Sequence, residues 1–246
     1  MLGIIGGRGL TQLSNLEVTR RLAVRTPYGE PSGALSFGRI AGNDVVFLAR
    51  HGYGHTIAPH QVNYRANIWA LKEQKVSGVI SVASVGGIRA DMVPGVVAVP
   101  HQIIDYTWGR KSTYFEGGEQ PVVHIDFTEP YSARLRGHIL SAAAACAEAV
   151  VAGATYAACQ GPRLETAAEI NRLERDGADI VGMTGMPEAA LAREAELEYA
   201  AITVVANFAA GRGASLHAIR LEDIEPVLQQ SLARVRRIIE KLVALA

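Results

Sequence analysis

The chain has 246 residues, 49% of them hydrophobic, which suits one substantial core in a single α/β domain over residues 1–246. Lysine plus arginine equals aspartate plus glutamate at 24 each, so no overall field favours nucleic acid or an anionic membrane, and any anion site must be local. Two cysteines, Cys146 and Cys159, are too few for a disulfide framework, and no run approaches the roughly 20 apolar residues of a membrane span, so the expectation is a cytoplasmic protein with buried free thiols.

Short β-branched or apolar runs at 2–5, 45–48, 79–82, 96–99, 155–158 and 201–205 predict buried strands, each ending near glycine, histidine or a polar residue. Helical patterns fall between them at 63–75, 131–150, 166–176 and 187–196, the last with Pro187 at a first helical position. Strand and helix alternate, which predicts a largely parallel or mixed sheet covered by helices. A last helix carries Ile224, Val227, Leu228, Leu232, Val235, Ile238, Ile239 and Leu242 at spacings of three and four. No repeat, low-complexity tract or linker marks a domain boundary.

Three strand ends carry anion-binding chemistry. Gly3-Ile4-Ile5-Gly6-Gly7-Arg8-Gly9-Leu10 is a glycine-rich turn whose N–H groups can approach an oxyanion, although its spacing departs from the dinucleotide fingerprint. Arg50-His51-Gly52 closes the second strand, followed by His55. Ser81 to Ile88 runs into a further glycine turn and adds the Ser84 hydroxyl. Together they predict a site for phosphate or a phosphorylated group.

The residues also carry a resemblance. Gly3-Ile4-Ile5-Gly6-Gly7-x-Gly9-Leu10, Ala49-Arg50-His51-Gly52, His55-Thr56-Ile57-x-Pro59, Val62-Asn63-Tyr64-x-Ala66-Asn67-Ile68-Trp69, Gly161-Pro162-Arg163 and Gly177-Ala178-Asp179-Ile180-Val181-Gly182-Met183-Thr184-x-x-Pro187-Glu188 resemble strings of the purine nucleoside phosphorylase and methylthioadenosine phosphorylase family, in order, from about residue 2 to about residue 240. The resemblance implies a single-domain, three-layer nucleoside phosphorylase fold with a mixed, barrel-like β-sheet flanked by helices. It further implies a homotrimer or dimer of trimers, no metal or organic cofactor, and inorganic phosphate as co-substrate. The reaction it implies is attack of phosphate on C1′ of a purine nucleoside.

By the same resemblance, phosphate falls to the turn at Arg8, to Arg50 and His51, to Ala83 and Ser84, and to Thr184. Position 8 usually carries serine or threonine, so Arg8 either adds a charge to the phosphate or turns outward. Met183 resembles the methionine beneath the ribose, and His124, in Val122-Val123-His124-Ile125, the residue that reaches the 5′ region of a neighbouring subunit. Val181 and Gly182 border the purine.

Base choice falls to Asn207, Ala209 and Glu165. Asn207 and Ala209 stand where the methylthioadenosine enzymes carry two aspartates, and the amide suits donation to N7 and O6 of a 6-oxopurine. Glu165 matches the glutamate that accepts from N1–H in inosine-type enzymes, while its place at a helix start also suits an N-terminal cap. Leu221 and Ile224 replace the histidine that meets a 5′-hydroxyl, although His217 in the preceding loop could still approach that group. An apolar 5′ pocket beside a 6-oxopurine site describes 5′-methylthioinosine. Inosine or guanosine phosphorolysis, methylthioadenosine phosphorolysis and a non-catalytic nucleotide-binding Rossmann module are the alternatives.

Overall fold

Short apolar strands can bury both faces only in a sheet covered on two sides. The computed structural model, which describes residues 1–7, 9–10, 13–118 and 121–245, has that arrangement. At its centre β1 (Leu2–Gly6), β4 (Asn43–Ala49), β5 (Val79–Gly87) and β10 (Tyr199–Phe208) run parallel in the order β4-β1-β5-β10. Successive side chains alternate between the faces. Ile5, Val46, Leu48, Ala201 and Val205 join one core with α1 (Tyr64–Glu73) and α4 (Glu188–Glu194). Ile4, Val45, Phe47, Ile202 and Val204 join another with α2 (Ala133–Ala145) and α5 (Ile224–Leu245). The result is three layers, helix, mixed sheet and helix.

Antiparallel β2 (Glu17–Leu22) and β3 (Leu35–Ile40) extend one edge from β4. On the other side β9 (Ile180–Gly182) runs antiparallel to the end of β5 and continues the sheet through β8 (Thr155–Ala158) to β7 (Gln102–Asp105). The two-residue β6 (Val97–Ala98) pairs with β10, so the sheet branches at β5. Beside β9, α3 (Ala167–Arg175) packs Ile170 and Leu173 on Val181 and Ala209. Among the described residues no helix is long and apolar enough to cross a membrane. Cys146 and Cys159 are free but half-buried rather than fully buried.

Several boundaries differ from the sequence reading. β5 and β10 outgrow their apolar runs because they pair with each other along their whole length. β2, β3, β7 and β9 were not expected. The first is a charged, exposed edge strand with a single neighbour, and Arg20 lies over the Phe37 ring at 4.1 Å. The helix expected over 131–150 stops at Ala145. There Ala147 takes φ 56° and donates to Ala144 O, while Glu148 donates to Ala143 O, a closure that ends the helix. Arg234 and Arg237 of α5 then hold the Glu148 carboxylate at 2.8 and 2.6 Å. Asn63, Thr166 and Pro187 prove to be N-caps rather than helical residues, the first two accepting from backbone N–H groups.

One polar cluster crosses the apolar interior. Arg50, at the end of β4, and Glu188, the first residue of α4, are both fully buried and meet through two bonds, Nε to Oε2 at 2.7 Å and Nη2 to Oε1 at 2.9 Å. Ser81 of β5 and Tyr199 of β10 each donate to Glu188 Oε1 at 2.8 Å. Such a pair is stable only while both charges are matched. Glu188→Gln should therefore lower the unfolding free energy in urea by about 3–5 kcal/mol. A loss below about 1 kcal/mol would show that the pair is solvated.

Candidate active site

Parallel strands present their carboxyl ends together, and ligands of α/β sheets collect there. Here β1, β4, β5 and β10 end around a cleft of about 430 Å³ that is also lined by the segments after β8 and β9. Its lining includes Arg50, His51, Ala83, Ser84 and Thr184 on one side. Glu165, Val181, Gly182, Met183, Asn207 and Ala209 follow, with Leu221 and Ile224 toward the α5 end. The sheet thus brings together thirteen residues spread along the chain from Arg50 to Ile224.

The anion end is built mainly from backbone. β1 stops at Gly6 and pairs with β5 only up to Ser81, and β9 joins β5 again at Gly86, so between them β5 has a strand-free edge over 82–85. Arg50 Nη1 donates to Val82 O at 3.1 Å, and Nη2 to Ser81 Oγ at 2.6 Å. With Glu188 these bonds occupy four of the five guanidinium N–H groups, leaving one on Nη1. Burial works against the Arg50 charge, but Glu188 outweighs it and holds the pKa above its ordinary value. Gly7 lies directly over this atom: a Cβ there would stand 2.9 Å from Nη1 and 2.8 Å from Val82 O. Arg50 thus offers a ligand a single N–H rather than a bidentate fork. The Ser84 hydroxyl has no partner among the described residues, and Thr184 N–H donates to Tyr156 Oη at 3.3 Å.

His51 is fixed as a neutral ring. Its Nδ1 lies 2.8 Å from Ile57 O, and since a carbonyl can only accept, Nδ1 carries the proton and Nε2 its lone pair. Burial, and then the Arg50 charge, bring the imidazole down to about 4. The loop closes on the same residue, with Thr56 and Ile57 N–H both donating to His51 O. His55, at φ 52°, sets its ring beside that of His51 at a tilt of 46°, with centroids 4.6 Å apart.

At the other end Glu165 is released from the helix. The N-cap of α3 is Thr166, which exchanges bonds with Glu169 in a capping box, so the capping alternative for Glu165 does not hold. Burial, and then Glu169, push the Glu165 carboxyl above its usual range. The neighbouring Cys159 thiol is pushed up to about 12 by burial and by Glu165. Asn207 follows an irregularity in the β10 register, and one Nδ2 proton goes to Phe208 O at 2.7 Å. One N–H and Oδ1 remain for a ligand, so the amide cannot give separate protons to two acceptors as expected.

Ile224 is 4% exposed while Leu221 is 55% exposed, so the first lies inside the apolar end and the second at its rim. Arg8 lies outside the described residues. His124 and His217 are exposed and do not reach this cleft. His55, named in the sequence at the second strand end, also lines it, as do Thr56, Ile57, Pro162, Leu164 and Ile219, to which the sequence reading assigned no role. The strings His55-Thr56-Ile57-x-Pro59 and Gly161-Pro162-Arg163 were signals for four of them, whereas Leu164 and Ile219 carry none beyond apolarity.

The neutral ring can be checked directly. His51 resonances should stay flat between about pH 8 and 5.5 and titrate near 4, where a free imidazole titrates at about 6.5. A midpoint above 6 would mean that the ring is solvated and its tautomer free.

The phosphorylase superfamily model matches residues 2–244. The chain is 51% identical over 241 residues to the probable S-methyl-5′-thioinosine phosphorylase of Pseudomonas syringae pv. tomato, covering 98% of this chain and 97% of that one. It is 44% identical over 215 residues to the 6-oxopurine nucleoside phosphorylase of Pyrococcus furiosus, covering 85% and 80%. The methylthioadenosine phosphorylase of Schistosoma mansoni in complex with adenine superposes with a TM-score of 0.94 at 33% identity, covering 99% of this chain and 91% of that one. With a family match across nearly its whole length, the chain belongs to the phosphorylase superfamily and is an enzyme of the nucleoside phosphorylase type, a pentosyltransferase.

Proposed function

We propose that the enzyme cleaves 5′-methylthioinosine with phosphate to hypoxanthine and 5-methylthioribose 1-phosphate. The observation that carries this reading is the pairing of an uncapped Glu165 and Asn207 at one end of the cleft with Ile219, Leu221 and Ile224 at the other. A phosphate oxygen forms a bond to C1′ as the C1′–N9 bond breaks, and its electron pair passes to the purine. A proton from solvent joins N7 as the base takes that electron pair, Asn207 Oδ1 accepts a hydrogen bond from the new N7–H, and the remaining Asn207 N–H donates to O6. Glu165 accepts from N1–H, which a 6-oxopurine has and adenine lacks.

Phosphate lies between Gly7, the open edge of β5, Thr184 and the last Nη1 proton of Arg50. His51 adds an acceptor for the proton of hydrogen phosphate. Met183 lies under the sugar, and the apolar end takes the methylthio group. His124, exposed on its own chain, acts on the cleft of another copy in the assembly. The names of the Pseudomonas and Pyrococcus relatives support a 6-oxopurine, and the former supports the methylthio group.

Methylthioinosine should exceed inosine in kcat/KM by roughly 10- to 200-fold, the value of burying an apolar group of this size. It should exceed methylthioadenosine by more, because mismatched buried polar groups discriminate strongly. Parallel phosphorolysis assays decide both, and a native preference for methylthioadenosine would overturn the base assignment.

Glu165 makes a second, opposed pair of expectations. Its folded-state pKa lies above the unfolded one, so its ionised form costs stability at neutral pH, and that cost vanishes below about pH 4, where both states are protonated. Glu165→Gln should therefore raise Tm at pH 7 but not at pH 4, while lowering kcat/KM on methylthioinosine. Lowered Tm at pH 7 would mean that the carboxylate is structural.

A further inference from the structure

We propose that Arg110 is a positioning residue that sets the distance between the purine and ribose parts of the cleft. The proposal rests on the roles given above to Glu165 and Met183. Arg110 lies on the segment after β7 and does not line the cleft, yet its guanidinium reaches both loops that do. Toward the purine loop, Nη2 donates to Gln160 O at 2.8 Å and Cys159 O at 3.2 Å, and Nε to Gln160 Oε1 at 3.1 Å. Toward the ribose loop, Nη1 donates to Met183 O at 2.8 Å and Met186 O at 2.7 Å. A third, longer bond joins Nη1 to Tyr64 Oη at 3.2 Å, and Tyr64 in turn donates to the carbonyl of Pro59 on the cleft wall.

Among the described residues Arg110 has no carboxylate partner, so its charge is spread over carbonyl oxygens of the loops it joins. The two loops touch on the cleft side as well. Gly161, at φ 62°, packs against Met183 so closely that a Cβ there would collide with the thioether sulfur. They are therefore pressed together in front and held from behind by one planar fork. Lysine cannot replace it, because its three donors diverge from a single nitrogen. A shift of these loops moves Glu165 relative to Met183, and misplacement by about 1 Å can cost on the order of 100-fold in rate.

The test compares the native enzyme with Arg110→Lys and Arg110→Ala by steady-state kinetics and by amide hydrogen exchange over 159–165 and 183–186. The expected result is a loss of about 10- to 100-fold in kcat/KM for the nucleoside, with a rise in phosphate KM as well, because Thr184 lies on the loop that Arg110 holds. Exchange should quicken in both segments, and added guanidinium ion should restore part of the Arg110→Ala activity without affecting the native enzyme. Native kcat/KM in folded Arg110→Ala would overturn the proposal, and so would a loss with unchanged exchange and no rescue. If the alanine variant does not fold, native kcat/KM in Arg110→Lys overturns it. Absence of phosphate-dependent base release from the native enzyme would instead overturn the functional reading, while the exchange comparison still decides whether Arg110 joins the loops.

Discussion

The buried pair between Arg50 and Glu188 is the constraint on which the cleft depends. Neither charge reaches solvent, and with Ser81 and Tyr199 they tie α4 to β4, β5 and β10, three strands whose ends line the cleft. Isolated charges in this interior would carry a large desolvation cost, so the four groups hold one geometry together. That geometry turns a single Nη1 proton toward Gly7 and the open edge of β5.

An anion site made this way uses little free charge. A neutral His51, the exposed β5 edge and one shared guanidinium suit an enzyme with zero formal net charge, because a bound phosphate meets fixed donors that need no rearrangement. The purine end works by the opposite device. There a carboxyl is kept in a setting that disfavours its charge, and under the proposed function that penalty makes a matched N1–H donor valuable. On that proposal stability and base choice conflict at Glu165, whereas at Arg50 stability and phosphate binding coincide.

Much of this was legible in the sequence because the informative residues sit at ends of apolar runs. The runs at 2–5, 45–48, 79–82 and 201–205 became the four central parallel strands, and Arg50, His51, Ser84 and Asn207 lie at or just beyond their ends. What stayed hidden was long-range pairing. β2 is charged and exposed, β9 is three residues long, and neither has a local pattern that separates a strand from a loop. Glu188 read as part of a motif and Arg110 as one arginine among many, since nothing nearby in the chain shows which carbonyls or guanidinium will meet them.

The amino-acid sequence by itself determined the alternating strands and helices and the clustering of polar and glycine residues at strand ends, because periodicity and side-chain type are local properties. Only the tertiary structure decided that Glu188, Ser81 and Val82 take four of the five Arg50 N–H groups, that His51 is neutral with its proton on Nδ1, that Thr166 rather than Glu165 caps α3, and that Arg110 joins the two loops. Each of these depends on burial and on partners up to 138 positions apart, and a group's charge and free hydrogen-bonding capacity are set by what surrounds it in space.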